Sequence, residues 1–170
     1  LSSSITLPSS KSISNRVLMI HQILQQQFTI SGLSTAADTQ ILKHILEQNT
    51  STVDVGHAGT TMRFLTAYFA ATKGKNVVVS GSERMHQRPI IILVEALKTL
   101  GADIQYLNKE GYPPLQIKGK KLNGGIINLD GSVSSQYISA LLLIAPLLKT
   151  ELTITFTTPI VSKSYILMTI

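Results

Sequence analysis

The chain contains no cysteine among its 170 residues, which excludes disulfide bonds and thiolate metal sites. It also lacks a long hydrophobic run. The longest, Ala140–Leu148, is interrupted by Pro146, whereas a helix that crosses a bilayer needs about 20 apolar residues. No signal peptide is visible, so we expect a cytoplasmic protein without a membrane partner.

Acidic residues are scarce. Lys and Arg outnumber Asp and Glu by 15 to 9, and the net charge is +6. This balance admits nucleic acid or a small anion as a partner. No alternation of aromatic and basic residues typical of single-strand binding occurs, so we expect no nucleic acid. The carboxylates are scattered and the four histidines lack metal-ligand spacing, so no metal site or proton-transfer pair is predicted.

The scarcity of acids is most marked near the start, where none occurs between Leu1 and Phe28. Within this region Leu7-Pro8-Ser9-Ser10-Lys11-Ser12-Ile13-Ser14-Asn15-Arg16 leads into a helical pattern. Cations beside the positive end of a helix dipole favour an anionic ligand, which the serine hydroxyls and free amides could also hold. The alternative is a serine N-cap with two solvated basic side chains, and this stretch alone does not decide between them.

Hydrophobic periodicity predicts an α/β chain. The predicted strands are Ser4–Leu7, Phe28–Ser31, Val53–Val55, Asn76–Ser80, Asp103–Leu107, Leu115–Lys118, Ile126–Leu129 and Leu152–Phe156. The predicted helices are Ser14–Gln26, Asp38–Gln48, Thr60–Ala71, Ile90–Leu100 and Ser135–Leu148. Asp38 is predicted as an N-cap, and Gly101 as the residue that ends its helix.

Four times, a polar turn without Asp or Glu opens an apolar helix. The turns are Ser9-Ser10-Lys11-Ser12, Gly56-His57-Ala58-Gly59-Thr60-Thr61, Met85-His86-Gln87-Arg88-Pro89 and Gly131-Ser132-Val133-Ser134-Ser135-Gln136. If the four helix starts converge, they form one anion-binding floor. The alternative is four ordinary capped helices that point in different directions. Pro89 is predicted as a first helical residue, which would hold Arg88 just outside the helix.

Taken in order, these stretches resemble the 5-enolpyruvylshikimate-3-phosphate synthase family over nearly the whole chain. Residues 7–16 are similar to the opening signature of that family, and Ala58-Gly59-Thr60-Thr61-Met62-Arg63 to its Asn-Ala-Gly-Thr-x-x-Arg signature. The remaining matching stretches are 85–89, 101–102, 112–114, 131–136 and 162–166. Several motifs in the family's order make a specific signal, which no single one of them provides.

The resemblance implies transfer of the enolpyruvyl group of phosphoenolpyruvate to the 5-hydroxyl of shikimate 3-phosphate, with release of phosphate. It implies no metal or organic cofactor. It also implies a fold of two domains, each built from three β-α-β-α-β-β units around a pseudo-threefold axis as an inside-out α/β barrel. The active site would lie in the cleft between the domains, and the whole protein would be monomeric.

Residue roles implied by the resemblance follow from matching positions. Lys11 would contact both substrates, and Gly59 and Arg88 would hold phosphoenolpyruvate. The residues implied to bind shikimate 3-phosphate are Ser12, Arg16, Ser134, Ser135, Gln136, Ser162 and Tyr165, with Gln136 also reaching phosphoenolpyruvate. Three positions depart from the family pattern. This chain has Ser9 where the family often has Gly, His57 where Asn is common and Phe64 where Pro is frequent.

The resemblance covers only part of such a protein. Residues 1–10 would be a lead-in strand, and residues 11–170 an incomplete shikimate 3-phosphate-binding domain, with the second domain absent. The proton-moving acids would lie in the absent part, so no catalytic residue is assigned here and the chain alone is expected to be inactive.

Three alternatives remain at this point. The first is a UDP-N-acetylglucosamine enolpyruvyl transferase, which shares the fold but lacks the Ser-Ser-Gln pattern and typically carries a reactive cysteine. The second is a non-enzymatic domain that binds nucleic acid or another anion, supported by the net charge. The third is a purely structural or regulatory domain.

Overall fold

The computed structural model describes residues 5, 7–25 and 27–170. The helices are α1 (Lys11–Ile23), α2 (Ala37–Glu47), α3 (Gly59–Ala71), α4 (Glu83–His86), α5 (Ile91–Thr99), α6 (Ser135–Ile144) and α7 (Lys163–Leu167). The strands are β1 (Thr52–Asp54), β2 (Asn76–Ser80), β3 (Asp103–Tyr106), β4 (Leu115–Lys118), β5 (Gly125–Leu129) and β6 (Leu152–Phe156). Among these residues no helix is long and apolar enough to cross a membrane.

Two sheets follow the same local plan. In the first, with strand order β1-β2-β4-β3, β1 and β2 are parallel and joined through α3, and β4 is antiparallel to both of its neighbours. In the second, β5 and β6 are parallel and joined through α6. The helices α3 and α6 therefore occupy equivalent places in two successive β-α-β units.

The core is built around α3. Twelve of its thirteen residues are buried, which is the pattern of a helix enclosed on all sides. It packs against α6 most extensively, and also against α1, α2, α5, β2 and β4. The N-terminal ends of α1, α3 and α6 come close together, since residues at all three ends line one cavity.

Most predicted elements are confirmed to within a few residues, including five strands from 52 to 129, the strand at 152–156 and five helices. Gly101 ends its helix as predicted, since it follows the C-cap of α5 with a φ of +96° that other residues rarely adopt. The prediction for Ser4–Leu7 depends on Ser4 and Thr6, which lie outside the described residues. The short helix α4 was not predicted, and α7 was indicated only by the apolar run Tyr165–Met168, which is typical of an unfinished helix.

Four predictions about the elements are wrong. Phe28–Ser31 forms no strand, because Ile30 packs on the core from an irregular loop instead of pairing. Asp38 lies inside the first turn of α2, whose N-cap is Ala36. The helix predicted to reach Leu148 ends at Ile144 and continues as a 3-10 turn at Ala145–Leu147, because Pro146 cannot donate a helical hydrogen bond.

The fourth concerns Pro89, which is not the first residue of α5. That helix begins at Ile91, after an N-cap, Ile90, with a φ of −135°. The amide of Ile90 donates to the carbonyl of Gly111 over 2.8 Å, and this bond draws the chain away from helical geometry. The carbonyl of Pro89 is thereby left available to side chains from other helices.

Candidate functional site

Three of the four acid-free helix starts line one cavity of about 350 Å³, here called the helix-start cavity. Its lining residues are Lys11, Ser12, Arg16, Thr60, Ser134, Ser135, Gln136 and Tyr165. Seven of these eight were predicted from the sequence as substrate ligands. The sequence thus predicted which segments meet, and the ligand role of each residue stays a prediction.

Lys11 has a partner that the local sequence does not contain. Its Nζ lies 3.1 Å from Oδ2 of Asp38, in the first turn of α2. Both side chains retain solvent contact, with 49% and 28% of their surfaces exposed. Such a pair contributes about 1 kcal/mol or less to stability, so its main effect is to offset the Lys11 charge beside the cavity.

Replacing Asp38 with asparagine is expected to strengthen anion binding in the helix-start cavity about fivefold, because it removes a negative charge next to Lys11. Titration of inorganic phosphate or shikimate 3-phosphate into both proteins measures the change. Stability should change by less than about 1 kcal/mol, since the pair is partly exposed. Weaker binding by the variant would show instead that Asp38 holds Lys11 in the orientation that the ligand needs.

Arg16 is directed mainly into the protein. Its Nε donates to Oγ1 of Thr169 over 2.7 Å, and one Nη2 hydrogen to Oγ of Ser139 over 2.8 Å. Nη2 also donates to the carbonyl of Tyr165 over 2.9 Å, and Nη1 to that of Ser12 over 2.9 Å. One N–H of Nη1 is left without a partner among the described residues. Arg16 therefore joins α1, α6 and α7, and can reach a ligand through its charge and a single donor.

Burial of the Arg16 guanidinium lowers its pKa, an effect that Tyr165 partly opposes. The group nevertheless stays charged, because arginine remains protonated in proteins. The alternative interpretation, in which Arg16 is a solvated basic side chain near the helix start, is therefore wrong for this residue. Only 5% of Arg16 is exposed.

The fourth helix start contributes a second, adjacent cavity of about 420 Å³, lined by His57, Arg84, Met85 and Arg88 and here called the arginine cavity. The Arg88 guanidinium lies directly on Gly59. A Cβ atom at Gly59 would come within 2.3 Å of Nη1 of Arg88, which only glycine avoids. Since Gly59 directly precedes Thr60, the two cavities adjoin at the start of α3. The residues implied to hold phosphoenolpyruvate, Gly59 and Arg88, are in contact.

The loop before α6 is held by Asp130. Its Oδ1 accepts from the amide of Ser132 over 2.8 Å and from Oγ1 of Thr158 over 2.7 Å. Hydrogen bonds from Ser132 and then from Thr158 lower the pKa of Asp130 from 3.8 to about 2. The loop leads directly to Ser134, whose Oγ accepts from the amide of Gln136 over 3.3 Å and caps α6.

Because the folded state lowers the pKa of Asp130, the unfolded chain takes up the proton first as pH falls. The contribution of Asp130 to stability is present above about pH 4 and is lost as pH falls towards about pH 2. Urea unfolding at about pH 5 and about pH 3 measures this loss. The decrease in the free energy of unfolding between the two pH values should be smaller for Asp130→Asn than for the parent chain. Equal decreases would show that Asp130 is not the group responsible.

Two predicted ligands, Gly59 and Ser162, do not line either cavity, although Gly59 contacts Arg88 of the arginine cavity. Ser162 is exposed and adopts a left-handed conformation, with φ +57°, at the N-terminal end of α7. Five residues at the cavities were not assigned a ligand role from the sequence: Asp38, His57, Thr60, Arg84 and Met85. Thr60 was noted only as a capping residue. Asp38 belongs to a segment whose approach to the site only the tertiary structure brings about, whereas Arg84 directly precedes the stretch 85–89 singled out from the sequence.

Two other clefts of similar size lack this chemistry. One lies between α1 and α2 and includes Glu47, and one lies beside β5 and includes Glu95 among apolar side chains. Within the described part of the chain, no group of three or more His, Asp or Glu side chains could hold a metal ion. Among the described residues, donors and cations thus line the helix-start and arginine cavities without a carboxylate in either lining, although Asp38 pairs with Lys11 beside the first.

A family model described as EPSP synthase (3-phosphoshikimate 1-carboxyvinyltransferase) matches residues 41–170. The chain belongs to the EPSP synthase family. The family resemblance given by the sequence motifs is therefore confirmed, and the match favours it over the UDP-N-acetylglucosamine enolpyruvyl transferase alternative.

Relatives named 3-phosphoshikimate 1-carboxyvinyltransferase cover the stretch before residue 41 as well. One from Bacteroides fragilis strain YCH46 is 50% identical over 170 residues, which is 100% of this chain and 41% of that protein. One from Haemophilus ducreyi is 38% identical over 195 residues, which is 98% of this chain and 45% of that protein. The chain thus spans less than half the length of these relatives.

Solved structures confirm the family's α/β fold. A structure of EPSP synthase from Acinetobacter baumannii superposes with a TM-score of 0.79 at 22% identity, over 95% of this chain and 41% of that chain. A second structure of EPSP synthase from the same organism gives a TM-score of 0.80. At this identity the likeness concerns the fold alone.

Proposed function

We propose that this chain is the shikimate 3-phosphate-binding part of a longer 3-phosphoshikimate 1-carboxyvinyltransferase, with residues 11–170 as an incomplete domain and residues 1–10 as a lead-in. The convergence of three acid-free helix starts on one cavity is the observation that carries the proposal. Family membership and the relatives' names support the reaction. The relatives' greater length supports a second domain outside this chain.

The helix-start cavity suits a phosphorylated polyol with a carboxylate. Lys11 and Arg16 supply positive charge, and the hydroxyls of Ser12, Ser134 and Ser135 supply donors and acceptors. Gln136 and Tyr165 add an amide and a phenol. The arginine cavity adjoins it and offers a guanidinium for the second anion, phosphoenolpyruvate.

The proposed reaction proceeds by addition and elimination. The 5-hydroxyl oxygen of shikimate 3-phosphate forms a bond to C2 of phosphoenolpyruvate, its proton leaves, and C3 gains a proton. The bond from C2 to the phosphate oxygen then breaks, and C3 loses a proton to restore the double bond. Lys11, Gly59 and Arg88 orient the two anions and offset their charge during these steps.

The proton transfers need an acid–base group, and no carboxylate among the described residues lines either cavity. Among the described residues, the only carboxylate found within ion-pair distance of a cavity cation is Asp38, which is bound to Lys11. We therefore assign proton transfer to the part of the longer enzyme outside this chain, and expect no turnover by the 170-residue chain alone. Detectable product from the purified chain would contradict this.

Calorimetric titration of the chain with shikimate 3-phosphate tests the function directly. Lys11→Ala should weaken binding at least tenfold, equivalent to about 1.4 kcal/mol. Lys43→Ala is the matched control, because Lys43 is an exposed lysine that pairs with Glu47 on α2 outside both cavities. Binding should be unchanged in this control.

The outcomes separate the alternatives. Specific loss in Lys11→Ala supports the assigned cavity. Equal loss in both lysine variants would indicate a diffuse electrostatic interaction, as in a nucleic-acid-binding or other anion-binding domain. Absence of binding by the folded chain and by the longer protein would refute the proposed substrate.

A further inference from the structure

A tyrosine on α6 and an arginine on α3 share one loop carbonyl. The phenol of Tyr137 donates to the carbonyl oxygen of Pro89 over 2.8 Å, and Nη2 of Arg63 donates to the same oxygen over 2.9 Å. Both side chains are buried, with 8% of Tyr137 and 3% of Arg63 exposed. A carbonyl with two lone pairs can accept both bonds, so this loop position is fixed from two helices at once.

Arg63 also reaches the start of its own helix. Its Nη1 donates to the carbonyl of Gly59 over 3.2 Å and lies 3.5 Å from Sδ of Met85. One guanidinium therefore ties together Gly59 and Pro89, and its carbon lies 5.9 Å from the centre of the Tyr137 ring. Burial lowers the pKa of Arg63, Tyr137 opposes this shift, and the charge of Arg88 adds to it.

The two anchored residues are those on which the placement of Arg88 depends. Pro89 is its neighbour in the chain, and Gly59 is the surface on which its guanidinium rests, with no room for even a methyl group. A shift of the 87–90 turn relative to α3 would therefore move the guanidinium. A misplacement of about 1 Å at a substrate-holding group can reduce turnover about a hundredfold.

We propose that Tyr137 and Arg63 are positioning residues that fix the Arg88 guanidinium against Gly59 for binding of the phosphoenolpyruvate anion. The inference rests on the proposed function for the identity of the anion, whereas the contacts that fix Arg88 do not depend on it. Neither Tyr137 nor Arg63 lines the arginine cavity. Their effect is exerted through two backbone carbonyls.

Tyr137→Phe is the decisive variant, because it removes one hydroxyl and keeps the buried ring. In the longer enzyme, the KM for phosphoenolpyruvate should rise about five- to tenfold, while the KM for shikimate 3-phosphate stays within about twofold. Tyr68→Phe is the matched control. Tyr68 is equally buried at 8%, and its phenol accepts from Nε2 of Gln22 at 3.2 Å, on the side of α1.

A second measurement is independent of the reaction. The NMR signal of the Arg88 side-chain Nε–H should shift in Tyr137→Phe and stay in place in Tyr68→Phe. An unmoved Arg88 signal in Tyr137→Phe would overturn the positioning role. So would the same rise in the KM values for phosphoenolpyruvate and shikimate 3-phosphate in both Tyr137→Phe and Tyr68→Phe. A shifted signal in an enzyme that binds no phosphoenolpyruvate would instead refute the proposed substrate and leave the role in placing Arg88 supported.

Discussion

Gly59→Ala is expected to weaken phosphoenolpyruvate binding at least tenfold and to leave shikimate 3-phosphate binding nearly unchanged. The new Cβ would lie 2.3 Å from Nη1, 2.6 Å from Nη2 and 2.7 Å from Cζ of Arg88, so the guanidinium has to move. The fold should tolerate the change, because the displaced atoms end a flexible side chain and alanine favours a helix over glycine by about 1 kcal/mol. Separate titrations of phosphoenolpyruvate and shikimate 3-phosphate into the longer enzyme measure the two effects.

A double-mutant cycle shows whether the effect passes through Arg88. In an Arg88→Ala background no guanidinium remains for the Cβ to displace, so Gly59→Ala should have little further effect. If the substitution weakens binding equally in both backgrounds, the glycine acts on the ligand by itself, through close approach of its backbone.

Arg16→Met is expected to lower the free energy of unfolding by about 2–4 kcal/mol, because it leaves one buried and three partly buried acceptors without their donor. The lost hydrogen bonds run to Ser12, Ser139, Tyr165 and Thr169. Urea denaturation measures the loss, and hydrogen exchange should show faster opening of residues 163–169. Arg84→Met is the control, since Arg84 is an exposed arginine on the short helix α4. A change below about 0.5 kcal/mol for Arg16→Met would show that the hydrogen bonds are replaced at little cost.

A finer pair of variants separates the Thr169 hydroxyl from its methyl group. Thr169→Val keeps the shape and removes the acceptor of Arg16, whereas Thr169→Ser keeps the hydroxyl. Thr169→Val should therefore destabilise the chain more than Thr169→Ser. The reverse order would indicate that packing of the methyl group matters more than the bond to Arg16.

The elements that the sequence predicted well are those with a clear local cause. The helix predicted at Thr60–Ala71 has the mostly apolar composition of a buried helix. The acid-free helix starts left two interpretations open, and three of the four starts line one cavity. The helix depends on neighbours within a few residues, whereas the meeting of the helix starts depends on segments more than a hundred residues apart.

The features that the sequence did not predict depend on distant partners. Asp38 meets Lys11 across 27 residues, and Arg16 meets Ser139 across 123 residues and Thr169 across 153. The irregular path at Pro89 arises from bonds to Gly111, Arg63 and Tyr137, all remote in sequence. Periodicity and capping rules contain no information about such pairs, so the position of Arg16 inside the protein could not be predicted.

The two buried arginines have a consequence for how fast a ligand arrives. Arg16 and Arg63 donate only to neutral oxygens and a sulfur, and neither belongs to an ion pair within residues 5, 7–25 and 27–170. Their charges are therefore not cancelled, and the low-dielectric surroundings screen them less than solvent would. Such charges beside an open cleft focus the electric field and attract anions from solution. The same guanidinium groups that hold the helices together are thus expected to increase the rate at which anions encounter the cavities.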